Sequence, residues 1–417
     1  MPGQGAAAAL PMPARDGMGH IVLIEPRLDR FHLHDRLHRA LRERGHRVVL
    51  ACCAPEVHAF WRHQEGAADV VDAATRLLAL LDAAADLVIL HGPCGGAAAD
   101  AAACARQTGA RTLWIGDGLL PHTLQIDGQG IDDAASWTRR TAAEFEVVPV
   151  DEVLLQTSLA HALANAEPVA LPRTPVRPPP RSVRLGSALR AWRHGPSGML
   201  AAWSAWRAAL PRCAENRDAP PIDLPPRPFV AVLLQVAGDH RLLATDAPVS
   251  PQRLVAAAAE AVRAVVPEAV TLVVLPPGAA QRHTFVGLPA VPANAAAMAA
   301  ATAIAVVTVN HPAACVALLA GTPALLTGRS ALGVSGIAAP IPPEQLATAL
   351  RTALATETAP QCRHFLSWLL RHGHVWCSPT APDHNGIQGL VQAIENRLAP
   401  SGPRLRYRSG PAWPLLP

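Results

Sequence analysis

The feature that most limits this chain is an alternation of short apolar runs with longer helical patterns, interrupted once near the middle. Residues 20–24, His-Ile-Val-Leu-Ile, have the continuous apolar character of a strand buried on both faces. A helical spacing over 33–44 follows, Gly45 supplies a stop, and 47–51 predicts the next strand. The unit repeats as strand 86–90, helix 97–107 and strand 112–115, so the first 150 residues predict βαβ units on a parallel sheet. From 168 to 228 Pro and Arg take over, including Pro178-Pro179-Pro180, with one amphipathic helix expected at 199–210. The alternation then resumes with strand 229–234, helix 251–265, strands 270–275 and 304–309, helix 313–319 and strand 323–326.

At roughly 100 to 200 residues per domain, a 417-residue chain holds two domains. The expected fold class is α/β, with two doubly wound Rossmann-like lobes and a ligand cleft between them at the C-terminal ends of the strands. The expected divisions are a disordered tail at 1–18, a first lobe at 19–167, a linker with a helix at 168–227, a second lobe at 228–350, and C-terminal helices and tail at 351–417.

Composition removes several chemistries. All 36 basic residues are Arg, because the chain contains no Lys. A pyridoxal-phosphate enzyme lacks its Schiff-base residue here, and an ordinary P-loop nucleotidase lacks the Lys of its phosphate loop. A net charge of +4 with no block of like charges gives nucleic acid little to bind. The eight Cys form no CxxC pair, and the apolar run Ala6–Leu10 is too short and lacks the basic flank of a secretory leader, so a reduced, cytoplasmic protein is expected. Residues 284–328 contain no acidic residue, Lys or Arg, yet Pro289, Pro292, Asn294, Asn310 and Pro312 interrupt them. They predict a buried helix, a strand and a second helix instead of a bilayer span.

Three segments carry polar residues at strand ends. Trp114-Ile115-Gly116-Asp117-Gly118 brings a carboxylate to the rim of the first sheet, with glycines that would let a substrate approach the backbone. An ordinary turn capped by Asp117 is the competing reading. Leu233-Leu234-Gln235-Val236-Ala237-Gly238-Asp239 places Gln235 and Asp239 after the first strand of the second lobe, as any strand-to-helix connection could. Thr308-Val309-Asn310-His311-Pro312 precedes a helix whose N-terminus could hold a phosphate, or which Asn310 simply caps.

In order and spacing these segments resemble the capsule polysaccharide biosynthesis family, over residues 20–145 and 228–375. Its members include bacterial transferases of Kdo (3-deoxy-manno-octulosonic acid) that use CMP-Kdo on a GT-B-like scaffold. The family's acidic-Asp-Gly turn corresponds to Asp117 and Gly118, with Gly116 in place of the first acid. Its acidic-x-x-Gly-Val-Asn pattern is matched loosely by Asp127, Gly130, Ile131 and Asp132, and its Leu-Gln-Val-x-x-Asp signature by Leu234, Gln235, Val236 and Asp239. Its Val-Asn-Ser turn and later Gly-x-Pro are matched by Val309, Asn310, Gly321 and Pro323, with His311 for Ser. Where the family has Lys-x-His-Pro, this chain has Leu275-Pro276-Pro277-Gly278, and the Gly-Asp-Cys turn is Gly92-Pro93-Cys94.

The resemblance implies a glycosyltransferase that moves Kdo or a similar sugar from a CMP-sugar donor to a glycolipid or polysaccharide acceptor. Asp117 would be the catalytic carboxylate, acting as general base or nucleophile. Gly118, Asp127, Gln235, Asp239, Asn310 and His311 would bind substrate, with Arg282 and His283 replacing the missing phosphate-binding residues. No cofactor beyond the donor substrate and no metal is expected. The alternative is a catalytically lapsed relative that binds nucleotide-sugar or glycolipid and assists assembly. Arg190, Trp192, Arg193, Trp203, Trp206 and Arg207 offer a peripheral contact with the inner membrane, against the simpler reading of a helix docked on its own protein.

Three other patterns are weaker. His34 and His38 have the spacing of a helical zinc site, but Asp35 stands where a metalloprotease needs Glu. Cys362, His364, His372, His374 and Cys377 fit no common finger spacing. Gly92-Pro93-Cys94-Gly95-Gly96 lacks the order of a dinucleotide loop.

Overall fold

Two sheets of mainly parallel strands, each covered by helices on both faces, make up the computed structural model. It describes residues 18–24, 30–52, 57–58, 61, 70–72, 85–92, 96–165, 224–235, 239–243, 249–276, 285, 287–356 and 360–399. The tail before Met18, the linker from 168 to 223 with its expected helix, Arg282 and His283, and the chain beyond 399 lie outside these residues.

The first sheet has the order β12-β6-β5-β4-β1-β2-β3. Its strands are β1 (His20–Ile24), β2 (Arg47–Cys52), β3 (Val70–Asp72), β4 (Leu87–His91), β5 (Arg111–Asp117), β6 (Thr123–Asp127) and β12 (His374–Trp376). The helix α1 (Phe31–Glu43) covers one face and α2 (Gly96–Gln107) the other. The second sheet has the order β11-β10-β7-β8-β9. It comprises β7 (Phe229–Leu233), β8 (Val270–Val274), β9 (Ala290–Val291), β10 (Ala305–Thr308) and β11 (Ala324–Leu326).

The apolar runs behave as their composition dictates. Ile21, Val22, Leu23, Ile24, Leu87 and Ile89 are all essentially inaccessible, because a parallel strand with helices on both sides has no polar face. In the second lobe α5 (Pro251–Val265) begins where expected: Pro251 occupies the first turn and the Ser250 hydroxyl accepts from the Arg253 N–H at 3.2 Å. Residues 287–328 fold as β9, α6 (Ala296–Thr302), β10, α7 (Ala314–Leu319) and β11, so the expected helix, strand and second helix are present. No helix among the described residues is long and apolar enough to cross a membrane.

The first sheet departs from the expected parallel pattern at one edge. β6 runs antiparallel to β5, and β12 antiparallel to β6. The signal was available in Thr123-Leu124-Gln125-Ile126-Asp127, whose strict alternation marks a strand with two different faces. Leu124 packs in the apolar core of the first lobe.

Two segments pack away from their chain neighbours. The helix α3 (Glu152–Ala164) buries Leu155 and Ala162 in the core of the second lobe. From the far end of the chain, α9 (Pro360–Trp368) leads through a π-helical turn into β12, and α10 (His384–Leu398) then lies against α1 with Ile387, Leu390, Val391 and Ile394 in the first lobe's core. The remaining helices are α4 (His240–Leu243), which follows β7, and α8 (Leu346–Ala355), which packs on α5.

Candidate active site

Each sheet has one place where the strand order turns back through the middle. In the first it lies between β1 and β4, in the second between β7 and β10. Such switch points open a crevice beyond the strand ends. Arg30 follows β1 and Asp117 ends β5 beside β4, while Gln235 follows β7 and Asn310 follows β10.

Asp117 is clasped by Arg30. The guanidinium donates from Nη2 to Oδ2 at 2.6 Å and from Nε to Oδ1 at 3.2 Å, and the two side chains keep 25% and 16% of their exposure. Burial alone would push the Asp117 pKa up, but the adjacent Arg30 charge and its hydrogen bonds, with His91 and Arg241, hold it well below the usual carboxylate range. Asp117 is therefore an anion at any working pH. Beneath it lie the buried rings of His91 and His34, 4.8 Å apart between centroids.

The loop after Asp117 is built tightly. The Gly118 N–H donates to the Thr123 carbonyl at 2.9 Å, and a Cβ on Gly118 would lie 2.0 Å from the Thr123 hydroxyl oxygen. A Cβ on Gly116 would meet Ile131 at 2.4 Å. Gly118 is thus required by the chain's own packing and the space at Gly116 is filled by the Ile131 side chain, where the sequence suggested room for a substrate. Asp127 likewise turns inward: Oδ1 accepts from the N–H groups of Gln129, Gly130 and Ser136, and Oδ2 from the Ser136 hydroxyl at 2.5 Å. Its carboxylate staples the loop instead of reaching the crevice.

Arg241, on α4, joins the two lobes. Its Nε–H donates to Asp132 Oδ1 at 3.0 Å and Nη2–H to the Asp117 carbonyl at 2.8 Å, with the Gly118 carbonyl at 3.4 Å. Asp132 has φ +52°, a left-handed conformation that Asp tolerates better than most residues. The second lobe holds Arg241 from behind. Its N–H donates to Asp239 Oδ1 at 2.9 Å, and its carbonyl accepts from Asn310 Nδ2 at 2.7 Å. Gln235 links the other two, donating to Asp239 at 3.1 Å and accepting from the Asn310 N–H at 3.3 Å. Three of the expected substrate-binding residues, Gln235, Asp239 and Asn310, are therefore brought together around the backbone of one residue, Arg241.

The turn at His311 differs from an anion cradle. The His311 N–H donates to the Thr308 hydroxyl at 3.2 Å, and the Ala313 N–H to His311 Nδ1 at 3.1 Å, so the turn's donors are engaged within the chain. Burial, reinforced by the Arg241 charge and opposed by Asp239, lowers the His311 pKa to about 4. The imidazole is neutral near pH 7 and offers no positive charge to a phosphate. His374, on β12, is likewise lowered to about 4 by burial; its Nε2 accepts from the Leu119 N–H at 3.1 Å.

Several participants were not foreseen: Arg30, His91, Arg241, and the ion pair of Arg329 with Asp133 at 3.0 Å, which also crosses between the lobes. Arg329 keeps 56% of its exposure, and its carbonyl accepts from Asn310 Nδ2 at 3.0 Å. The Cys and His residues at 362–377 assemble no shared site: Cys362 and Cys377 are thiols pushed up to about 12, first by burial, and His364 lies 2.5 Å from the Val148 carbonyl. Among the described residues no three His, Cys, Asp or Glu side chains are grouped to hold a metal ion.

No family model matches the chain, and no curated protein does. Among solved structures it is similar to a β-Kdo 2,4-transferase, KpsC, of Thermosulfurimonas dismutans, at 13% identity and TM-score 0.43, over 84% of this chain and 90% of that one. The glycosyltransferase of kitacinnamycin is similar at 17% identity and TM-score 0.34, over 91% and 99%. A putative UDP-N-acetylglucosamine 2-epimerase of Listeria monocytogenes is similar at 12% identity and TM-score 0.31, over 85% and 95%.

Proposed function

We propose that this chain is a glycosyltransferase of capsular polysaccharide biosynthesis. It moves Kdo or a similar sugar from a CMP-sugar donor to a glycolipid or polysaccharide acceptor. The observation that carries the reading is the convergence of the Asp117 turn and the Gln235–Asp239–Asn310 cluster on Arg241, at the paired switch points of two lobes.

The chemistry follows from the state of Asp117. A carboxylate held below its usual pKa takes up a proton poorly, so the clasp by Arg30 argues against general-base action. An ionised carboxylate on one side of the anomeric carbon suits electrostatic support of the positive charge that grows there as CMP departs, and attack on that carbon requires Arg30 to loosen its clasp. Arg329, at the rim beside Asn310, is the described cation best placed to meet the departing phosphate. His311 is assigned no such role, because its ring is neutral.

The second reading is a lapsed relative that binds nucleotide-sugar without turning it over. It is favoured by the neutralising Arg30 and by Leu275 and Pro276, which stand where the resembled family begins Lys-x-His-Pro. Calorimetric titration with CMP and CMP-Kdo, followed by a transfer assay on lipid acceptors, separates the two. Binding with turnover supports the transferase, and binding without turnover supports the lapsed relative. An absence of binding overturns both.

A further inference from the structure

Gln235 and Asn310, two of the second lobe's signature residues, are poorly arranged to touch a ligand. Gln235 is 8% exposed and Asn310 3%. The Gln235 amide is bonded at both ends, to Asp239 and to the Asn310 N–H. Asn310 Nδ2 is shared between the carbonyls of Arg241 and Arg329. Asp239 is engaged by Gln235 at one oxygen and by the Arg241 N–H at the other. All of these bonds are spent on the backbone position of Arg241 or on its neighbours.

Arg241 in turn spends its side chain on the first lobe. Its fork is 9% exposed and bridges the Asp132 carboxylate and the Asp117 carbonyl, 109 and 124 residues away in sequence. Arg30 fixes the Asp117 carboxylate, and Arg241 fixes the peptide that carries it. A planar guanidinium can serve a carboxylate and a carbonyl together, whereas an ammonium cannot reproduce that fork. A displacement of about 1 Å in a reacting group is enough to cost on the order of 100-fold in rate.

We propose that Arg241 is a positioning residue, and that Gln235, Asp239 and Asn310 act on the Asp117 turn through it and not by contact with the nucleotide. The rate effect rests on the transferase reading above; the mechanical link between the lobes does not.

Two measurements on the full chain test this. Calorimetry with CMP is run beside initial rates with CMP-Kdo for Gln235→Ala, Asn310→Ala and the conservative Arg241→Lys. The expected result is CMP affinity within about threefold of the parent and a fall in kcat of at least about 30-fold in all three, as misplacement predicts. CMP affinity that weakens in step with the rate, or an unimpaired Arg241→Lys, overturns the proposal. Should the parent protein neither bind CMP nor transfer sugar, the functional reading fails and the link is judged by urea unfolding. Asn310→Ala and Asp132→Asn are combined in a double-mutant cycle there. These side chains come from different lobes and each bonds Arg241. Their joint effect on the unfolding constant should depart from the product of the single effects by at least about fivefold. Independent effects overturn the proposal.

Discussion

Two acid–arginine pairs flank β6, one acid ending β5 and the other following β6, and do different work. Arg30–Asp117 is partly exposed, with 16% and 25% of its side-chain surface in solvent. Arg241–Asp132 is sealed between the lobes at 9% and 11%. A pair that solvent and ligand can reach is free to exchange partners during a reaction. A sealed pair has paid heavy desolvation and stays intact because breaking it would strand a buried charge. The contrast separates chemistry from architecture within sixteen residues of sequence, Asp117 through Asp132.

The comparison breaks most sharply at Asp117. Asp117→Asn should lower transfer by about 10⁴-fold and lower the melting temperature modestly, since the amide still accepts one hydrogen bond from Arg30 but no longer balances its charge. Initial rates with CMP-Kdo beside a thermal melt check both halves. A mutant retaining most activity removes Asp117 from the mechanism. Asp132→Ala should cost more stability, about 3 to 5 kcal/mol in urea unfolding, because Arg241 would keep its buried charge without its hydrogen-bonded carboxylate. A loss below about 1 kcal/mol would place the pair among ordinary surface bridges.

Acid sharpens the contrast by a smaller amount. His311 and His374 feel the Arg241 charge and have pKa values lowered to about 4, chiefly by burial. Unfolding restores them to an ordinary value near 6.5, so the unfolded chain binds more protons between these limits. The stability that their neutral forms support is complete above about pH 6.5 and is lost as the pH falls toward 4, by about 3 kcal/mol for fully buried His374. Unfolding midpoints at pH 7.5, 5.5 and 4.5, for the parent and for His374→Gln, should show a shallower acid decline in the variant. Equal declines would exclude His374 as a source. Asp117 adds little here, because its depressed pKa postpones its loss to still lower pH.

Much of the scaffold was legible because buried parallel strands write themselves as unbroken apolar runs. Residues 20–24, 229–233 and 270–274 needed no partner to be identified. The polar segments at strand ends were legible for a related reason, since polarity directly after such a run marks the ligand side of a sheet. What those polar residues do was not legible. Asp127 and Gly118 lie in the expected turn, yet their roles are set by Ser136 and Thr123, which the local pattern does not nominate. Arg30 and Arg241 were hidden because their partners are 87 and 109 residues distant, and an Arg in an all-Arg basic set carries no local signal. β12 is three residues long and pairs with a strand about 250 positions earlier, a match that periodicity cannot find.

The return of the chain to its starting lobe bears on synthesis. β12 forms the edge of the first sheet, and α10 covers α1 with four buried aliphatic side chains, while Arg111 donates to the carbonyls of Arg397 and Ala399 at 2.5 and 2.8 Å. During synthesis the first lobe keeps an uncovered apolar flank until residues 374–398, about 250 positions beyond β6, have been added. The second half, emerging in between, can close its own sheet sooner.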